Sequence, residues 1–209
     1  MTGLVYKDLM VMKKTLLIYV IIGAFYGYLD ISNGRTGMMF AMLLITSTMV
    51  PISAIAYDER CKWDKLVNTA PVSRKEVIAA KYLLALVLTA VSAVMVFIVY
   101  LFKPGMTISE NLATVAVMSL MAMVYQAFLL PTIIKFGSEK GRMIMMIILF
   151  APIVLIGVLA KREIINLSVL SDFLEANSHL LPYITVAAVA VIYLISIMVS
   201  VKIYESKDL

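Results

Sequence analysis

Apolar and polar residues are arranged along the chain in long blocks. Six apolar runs alternate with shorter polar stretches, and each run is close to the roughly 20 residues that a helix needs to cross a bilayer core of about 30 Å. The pattern therefore predicts an all-α, polytopic membrane protein. The six spans are predicted at 15–31, 38–57, 82–102, 112–134, 143–160 and 180–203.

The first run differs from the others because Asp30 interrupts it. Its unbroken apolar part, Leu16–Leu29, has the length of a re-entrant segment. We count it as a span because Asp30 can sit at the level of the lipid headgroups, where Tyr26 and Tyr28 also suit the interface.

The residues before the first run show near-helical apolar spacing at Leu4, Val5, Leu9 and Met12. This spacing predicts a short amphipathic helix that lies on the membrane surface ahead of the first span. A cleaved signal peptide is not expected, since no small-residue cleavage site follows 15–31.

Composition supports the same class. Hydrophobic residues make up 63% of the 209 residues and charged residues 15%, whereas soluble domains contain about 45–50% apolar residues. We expect one transmembrane domain covering 1–209.

The basic residues predict an orientation. Fourteen of the 18 Lys and Arg residues fall on the side of the predicted membrane that holds both termini and the 57–81 connection, and four fall on the other side. The positive-inside rule places that richer side in the cytoplasm. The net charge of +5 is thus a topology signal, and nucleic acid is not expected as a partner.

The sequence lacks the motifs that would indicate nucleotide binding, hydrolysis or metal binding. The chain has no phosphate-binding G-x-x-x-x-G-K-[ST] motif and no G-x-S-x-G. His179 is the only histidine and Cys61 the only cysteine, and no cluster has the spacing of metal ligands. We therefore expect no catalytic residue, metal or cofactor in this chain.

Few polar groups interrupt the spans. Gln126 is the main one, and its expected role is a hydrogen bond between helices rather than a substrate contact. An ion-coupled carrier would need buried carboxylates, which are scarce here. Gly23 and Gly27 form G-x-x-x-G, which permits close helix contact, and Pro131 and Pro152 are expected to kink their helices.

The connection after the second span is unusually long and charged. Within YDERCKWDKLVNTAPVSRKE, four apolar residues spaced i, i+3, i+4, i+7 lie on one helical face: Trp63, Leu66, Val67 and Ala70. We predict an amphipathic helix at about 58–70, ended by Pro71. A lipid-bound helix would explain its basic residues, but the acidic residues among them and the central Trp63 favour docking to a protein surface.

A second helix is predicted to follow at once. Ser73 and Glu76 fit the S-x-x-E capping box, so this helix should begin near Arg74 and continue into the third span.

These features resemble the permease of type-2 ATP-binding cassette (ABC) exporters. The resemblance covers the whole chain and is carried by Lys7-Asp8, by the acidic residue after the second span, and by Pro71-Val72-Ser73-Arg74 with Lys81, which look like the family's "KDL" and "PVSR…K" signatures. The short outer loops resemble the small bacterial permeases of this family, which include the exporter of amphipathic phenol-soluble modulin peptides.

The resemblance implies a coupling helix after the second span that docks on a separate ATPase subunit, where ATP and Mg would bind. Carried over by position, the ATPase-contacting residues would be Asp58, Glu59, Arg60, Lys62, Trp63, Asp64 and Lys65, with Arg74 and Lys75 nearby. The compact connection 135–142 would touch the same partner. Two permeases, identical or related, would assemble with two ATPases in the bacterial plasma membrane.

The resemblance also implies export of a hydrophobic or amphipathic substrate, with a small peptide such as a toxin expected first and a lipid or lipophilic antibiotic second. A membrane scaffold or immunity protein without transport activity is the rival class. The outer stretch 161–179 fits either a lid helix over the exit or an interfacial anchor.

Overall fold

The computed structural model describes residues 2–33, 37–63, 67, 73–102, 107–161 and 181–206. No strand occurs among these residues, so the predicted all-α class is confirmed for them. The helices are α1 (Thr2–Asn33), α2 (Gly37–Arg60), α3 (Arg74–Leu101), α4 (Ile108–Phe136), α5 (Ser138–Lys161) and α6 (Leu181–Glu205).

Five of the described helical segments are long and apolar enough to cross a membrane. They are Gly3–Ser32, Ala41–Arg60, Arg74–Leu101, Ile108–Phe136 and Pro182–Glu205. The remaining predicted span, 143–160, lies within α5, a helix of 24 residues that is not among these five. Six membrane crossings therefore stay a prediction, and the stretch 162–180 lies outside the described residues.

The prediction of a separate surface helix before the first span is wrong. α1 is one helix of 32 residues that runs from Thr2 to Asn33, which is about 48 Å at about 1.5 Å per residue. Its first turns pack on protein, since Val5, Leu9 and Met12 contact a buried cluster from α2 and α3. The apolar spacing correctly indicated a buried face, but the surface that buries it is the helix bundle.

α4 contacts four other helices: α2, α3, α5 and α6. Gln126 on α4 is 1% exposed, and its Nε2 donates to Ser47 O on α2 and to Thr89 Oγ1 on α3, both at 2.8 Å. This confirms the predicted hydrogen bond between helices. Gln126 Oε1 is buried and has no hydrogen-bond partner among the described residues.

α1 packs closely on α3 at Gly27. A Cβ atom on Gly27 would lie 3.1 Å from Cγ2 of Val99, so only a residue without a side chain fits this crossing comfortably. The corresponding atom on Gly23 would meet Met42 at an ordinary contact distance of 3.6 Å. The predicted close contact is therefore made by the second glycine of G-x-x-x-G.

Asp30 is buried within the fold. It is 1% exposed, and its carboxylate accepts hydrogen bonds from the backbone N–H groups of Met38, at 3.3 Å, and Met39, at 2.9 Å. These N–H groups belong to the first turn of α2, where a helix has no acceptors of its own. Asp30 therefore caps α2 from the end of α1.

The predicted start of α3 is confirmed. Ser73 is the N-cap, its hydroxyl accepts from the Glu76 backbone N–H, and the Glu76 carboxylate accepts from the Ser73 backbone N–H. A second capping box, which was not predicted, joins Thr107 and Glu110 at the start of α4.

Candidate functional site

Four charged side chains from three helices meet at one end of the bundle. Lys81 Nζ lies 2.7 Å from Asp8 Oδ2 and 2.5 Å from Asp58 Oδ2, and Lys7 Nζ lies 2.7 Å from Asp58 Oδ1 and 3.1 Å from Asp8 Oδ1. Each lysine thus bridges both aspartates. We call Lys7, Asp8, Asp58 and Lys81 the ion-pair cluster, and the end of the bundle that holds it the cluster end.

The cluster is largely shielded from solvent. Asp8 is 2% exposed and Asp58 and Lys81 are each 7% exposed, while Lys7 is partly exposed. Burying a charge is costly unless it is paired, and here two positive charges balance two negative ones. Removing one partner of a buried pair typically costs about 3–5 kcal/mol because the other charge is left uncompensated.

The elements explain why these residues meet. Lys7 and Asp8 lie in the second turn of α1, Asp58 lies in the last turn of α2, and Lys81 lies about two turns into α3. The cluster therefore joins the start of α1 to both helices that flank the long polar connection. Lys7 also places its ammonium group 4.2 Å from the ring centre of Trp63, within that connection.

Glu59 joins the same region to the next connection at this end. Its carboxylate accepts from the backbone N–H of Ser138, at 3.1 and 3.2 Å, and from the Ser138 hydroxyl at 2.6 Å. Gly137 precedes Ser138 with φ of 84°, a conformation that favours glycine. The end of α2 thereby caps the start of α5, and the residues around 136–138 lie beside the predicted docking residues.

α6 reaches this end as well. Arg74 Nη1 donates to the carbonyl oxygen of Glu205, the last residue of α6, at 2.9 Å. Helix C-termini leave carbonyl groups without intrahelical partners, and an arginine is a favourable donor for them. Helices α1, α2, α3, α5 and α6 are all joined at the cluster end by polar contacts.

The residues predicted to contact an ATPase fall into three groups. Arg60, Lys62 and Lys75 are exposed, Glu59, Trp63 and Arg74 make the intramolecular contacts described above, and Asp58 is buried in the ion-pair cluster. Asp64 and Lys65 lie outside the described residues. The three residues from Asp58 to Arg60 continue α2, and the helix ends where Lys62 adopts a φ of 51°.

Sequence reasoning noted Lys7-Asp8, Asp58 and Lys81 separately and missed that they contact one another. A usable signal was present, because two acidic and two basic residues lie just beyond the same predicted membrane face. Among the described residues, no group of three His, Cys, Asp or Glu side chains could hold a metal ion. Cys61 is exposed and has a free thiol.

A helical bundle with several membrane-length helices among the described residues has the architecture of a multi-pass membrane protein. The sequence pattern described as "ABC-2 family transporter protein" matches residues 3–205. The chain therefore belongs to the ABC-2 transporter family. No curated protein and no solved structure matches it.

Membership of this family makes the chain a permease component and a multi-pass membrane protein, and it implies an ABC ATPase subunit as a partner.

Proposed function

We propose that the chain is the transmembrane subunit of an ATP-driven exporter that moves amphipathic or hydrophobic substrates, small peptides first among them, out across a bacterial plasma membrane. A separate ATPase subunit would bind ATP and Mg and supply the energy. The observation that carries the proposal is the ion-pair cluster, which joins the end of α2, where the long connection begins, to α1 and α3.

The proposed orientation places the cluster end, and therefore both termini, in the cytoplasm. The excess of Lys and Arg on this side supports it. An ATPase in the cytoplasm would then meet the exposed side chains of Arg60, Lys62 and Lys75.

In the proposed mechanism the ATPase does not contact Asp58 directly. It docks on the exposed residues around 60–75, and Asp58 transmits the movement to α1 and α3 through its two lysine partners. Glu59 carries the same movement to α5 through its cap on Ser138. ATP binding would shift the permease between its inward and outward states only if the ATPase contacts differ between them.

The interior of the bundle supports the proposed substrate class. Among the described residues, Gln126 Nε2 and Asp30 make hydrogen bonds within the bundle, and the buried charged side chains lie near the ends of the helices. A pathway of this character suits apolar or amphipathic molecules. Two copies, or this chain with a related one, would form the pathway; a lipid or lipophilic antibiotic is the alternative substrate.

Co-purification tests the proposal. The tagged chain is expressed together with ABC ATPases from the same genome, and the ATPase retained after extraction and its ATP hydrolysis in lipid discs are measured. We expect Lys62→Glu to lower retention by about tenfold, because charge reversal opposes an interface with complementary charge.

Lys202→Glu is the matched control. Lys202 is exposed in the last turn of α6 at the same end and is not among the proposed docking residues, so retention should stay at the wild-type value. If the wild-type chain retains no ATPase, the exporter proposal is wrong and a scaffold or immunity protein becomes the better explanation. Equal losses in both variants would reject 60–75 as the docking site.

A further inference from the structure

Two contacts between α1 and α3 lie on either side of an apolar cavity. At the cluster end, Asp8 bonds to Lys81 at 2.7 Å. Near the other end, Gly27 packs on Val99. Nineteen residues of α1 separate these two contacts, which is about 28 Å along a helix and close to the thickness of the hydrocarbon core.

Between the two contacts lies an apolar cavity of about 270 Å³. We call it the α1/α3 slot. Met42 and Leu43 of α2 form its buried floor, and the exposed side chains of Val20, Val87 and Val91 flank its mouth. Its lining is almost entirely apolar; Thr46 and Ser92 contribute small hydroxyl groups, and Tyr19 a mostly apolar ring. An apolar cavity of about 150 Å³ already holds a benzene molecule.

One basic residue lies on the face of α1 that lines the slot. Leu9, Leu16, Val20 and Gly23 line it, and Lys13 falls between Leu9 and Leu16 with i+4 and i+3 spacing on the same stripe. Lys13 is exposed and has no ion pair with any of the described residues. A lysine at this level can extend toward the headgroups while its alkyl stem lies on apolar surface.

We propose that the α1/α3 slot binds one acyl chain of an anionic phospholipid, with the lipid phosphate on Lys13. The mouth of the slot opens at the depth of the hydrocarbon core, where acyl chains are the abundant apolar ligands. Filling the slot restores dispersion contacts that its lining lacks when empty, and the charge of Lys13 selects an anionic headgroup in the leaflet at the cluster end.

This inference does not depend on the proposed transport function. It is tested with the full chain alone, without an ATPase, reconstituted in vesicles of phosphatidylcholine with a minor fraction of phosphatidylglycerol. Native mass spectrometry then counts the lipids of each kind that stay bound after mild extraction.

The headgroup contact is tested by Lys13→Gln with Lys14→Gln as its control. Lys14 is also exposed but lies one residue further along α1, off the slot stripe. We expect Lys13→Gln to lower phosphatidylglycerol retention by about fivefold and Lys14→Gln to leave it unchanged. Equal losses in the two variants would overturn the assignment to the slot.

Binding of the acyl chain in the slot is tested by Gly23→Leu, with Ala24→Leu as its control. A side chain on Gly23 meets the flexible ends of Met42 and Met95 at 3.6 and 3.8 Å, so the added bulk enters the slot, whereas Ala24 is exposed on α1. Gly23→Leu should lower retention of both lipids relative to Ala24→Leu. Unchanged retention in Gly23→Leu, or a wild-type chain that retains no excess phosphatidylglycerol, would overturn the proposal.

Discussion

Asp58 illustrates how the surroundings of one residue change its role. From its place in a charged connection it was predicted to contact a partner protein, yet it lies 2.5 Å from Lys81 Nζ and 2.7 Å from Lys7 Nζ and is almost fully buried. Its carboxylate compensates two ammonium groups at once. Any influence of Asp58 on a partner would therefore act through the position of α2.

The first prediction concerns this compensation. Asp58→Asn leaves the buried Lys81 and the partly exposed Lys7 facing a single aspartate, and we expect it to lower the free energy of unfolding by about 3–5 kcal/mol. The double variant Asp58→Asn with Lys81→Met removes a charge of each sign and should recover part of that loss. Thermal or chemical unfolding of the purified chain in detergent measures both.

Lys75→Ala is the control for this series, because Lys75 is exposed nearly two turns before Lys81 on α3 and surface substitutions usually change stability by no more than about 0.5 kcal/mol. A double variant that is less stable than Asp58→Asn would contradict charge imbalance as the cause.

The second prediction concerns Glu59. Glu59→Ala removes the acceptor for the Ser138 N–H and hydroxyl groups, and loss of a helix cap costs about 0.5–2 kcal/mol. Glu139→Ala removes a carboxylate from the first turn of α5, where no capping contact is described, and serves as the comparison. Hydrogen exchange of the first turn of α5 should rise more in Glu59→Ala; equal exchange would refute the capping role.

At the scale of helices, local signals were sufficient where both partners lie close in sequence. The capping box joins Ser73 and Glu76, which are three positions apart, and the sequence predicted both the box and the start of α3. The amphipathic start of α1 was also recognised, but apolar spacing does not say whether lipid or protein covers the apolar face. The continuous α1 and its packing on α2 and α3 were therefore missed.

The third prediction belongs to the crossing of α1 and α3. Gly27→Leu forces a side chain into the 3.1 Å approach to Val99, and overpacking of this kind typically costs about 1–3 kcal/mol. Ala24→Leu, at an exposed position of the same helix, should be close to neutral. Unfolding of the two variants side by side decides whether Gly27 sets the distance between the helices.

At the scale of the whole molecule, the contacts that shape the cluster end join residues far apart in the sequence. Asp8 and Lys81 are 73 residues apart, and Glu59 and Ser138 are 79 apart. A single sequence shows that these charged residues are present but not which of them contact one another, because their pairing depends on how the helices pack. The all-helical class and most spans followed from hydrophobic runs, whereas the candidate site required the tertiary arrangement.

The ion-pair cluster has a consequence for biogenesis. As the chain is synthesised, Asp8 at first has only its neighbour Lys7 as a partner. Lys81, which pairs with both aspartates, is added 23 residues after Asp58. Neither carboxylate is fully compensated until the start of α3 has been synthesised. The first three helices are thus expected to settle in the bilayer together, with the arrival of Lys81 as the step that completes their insertion.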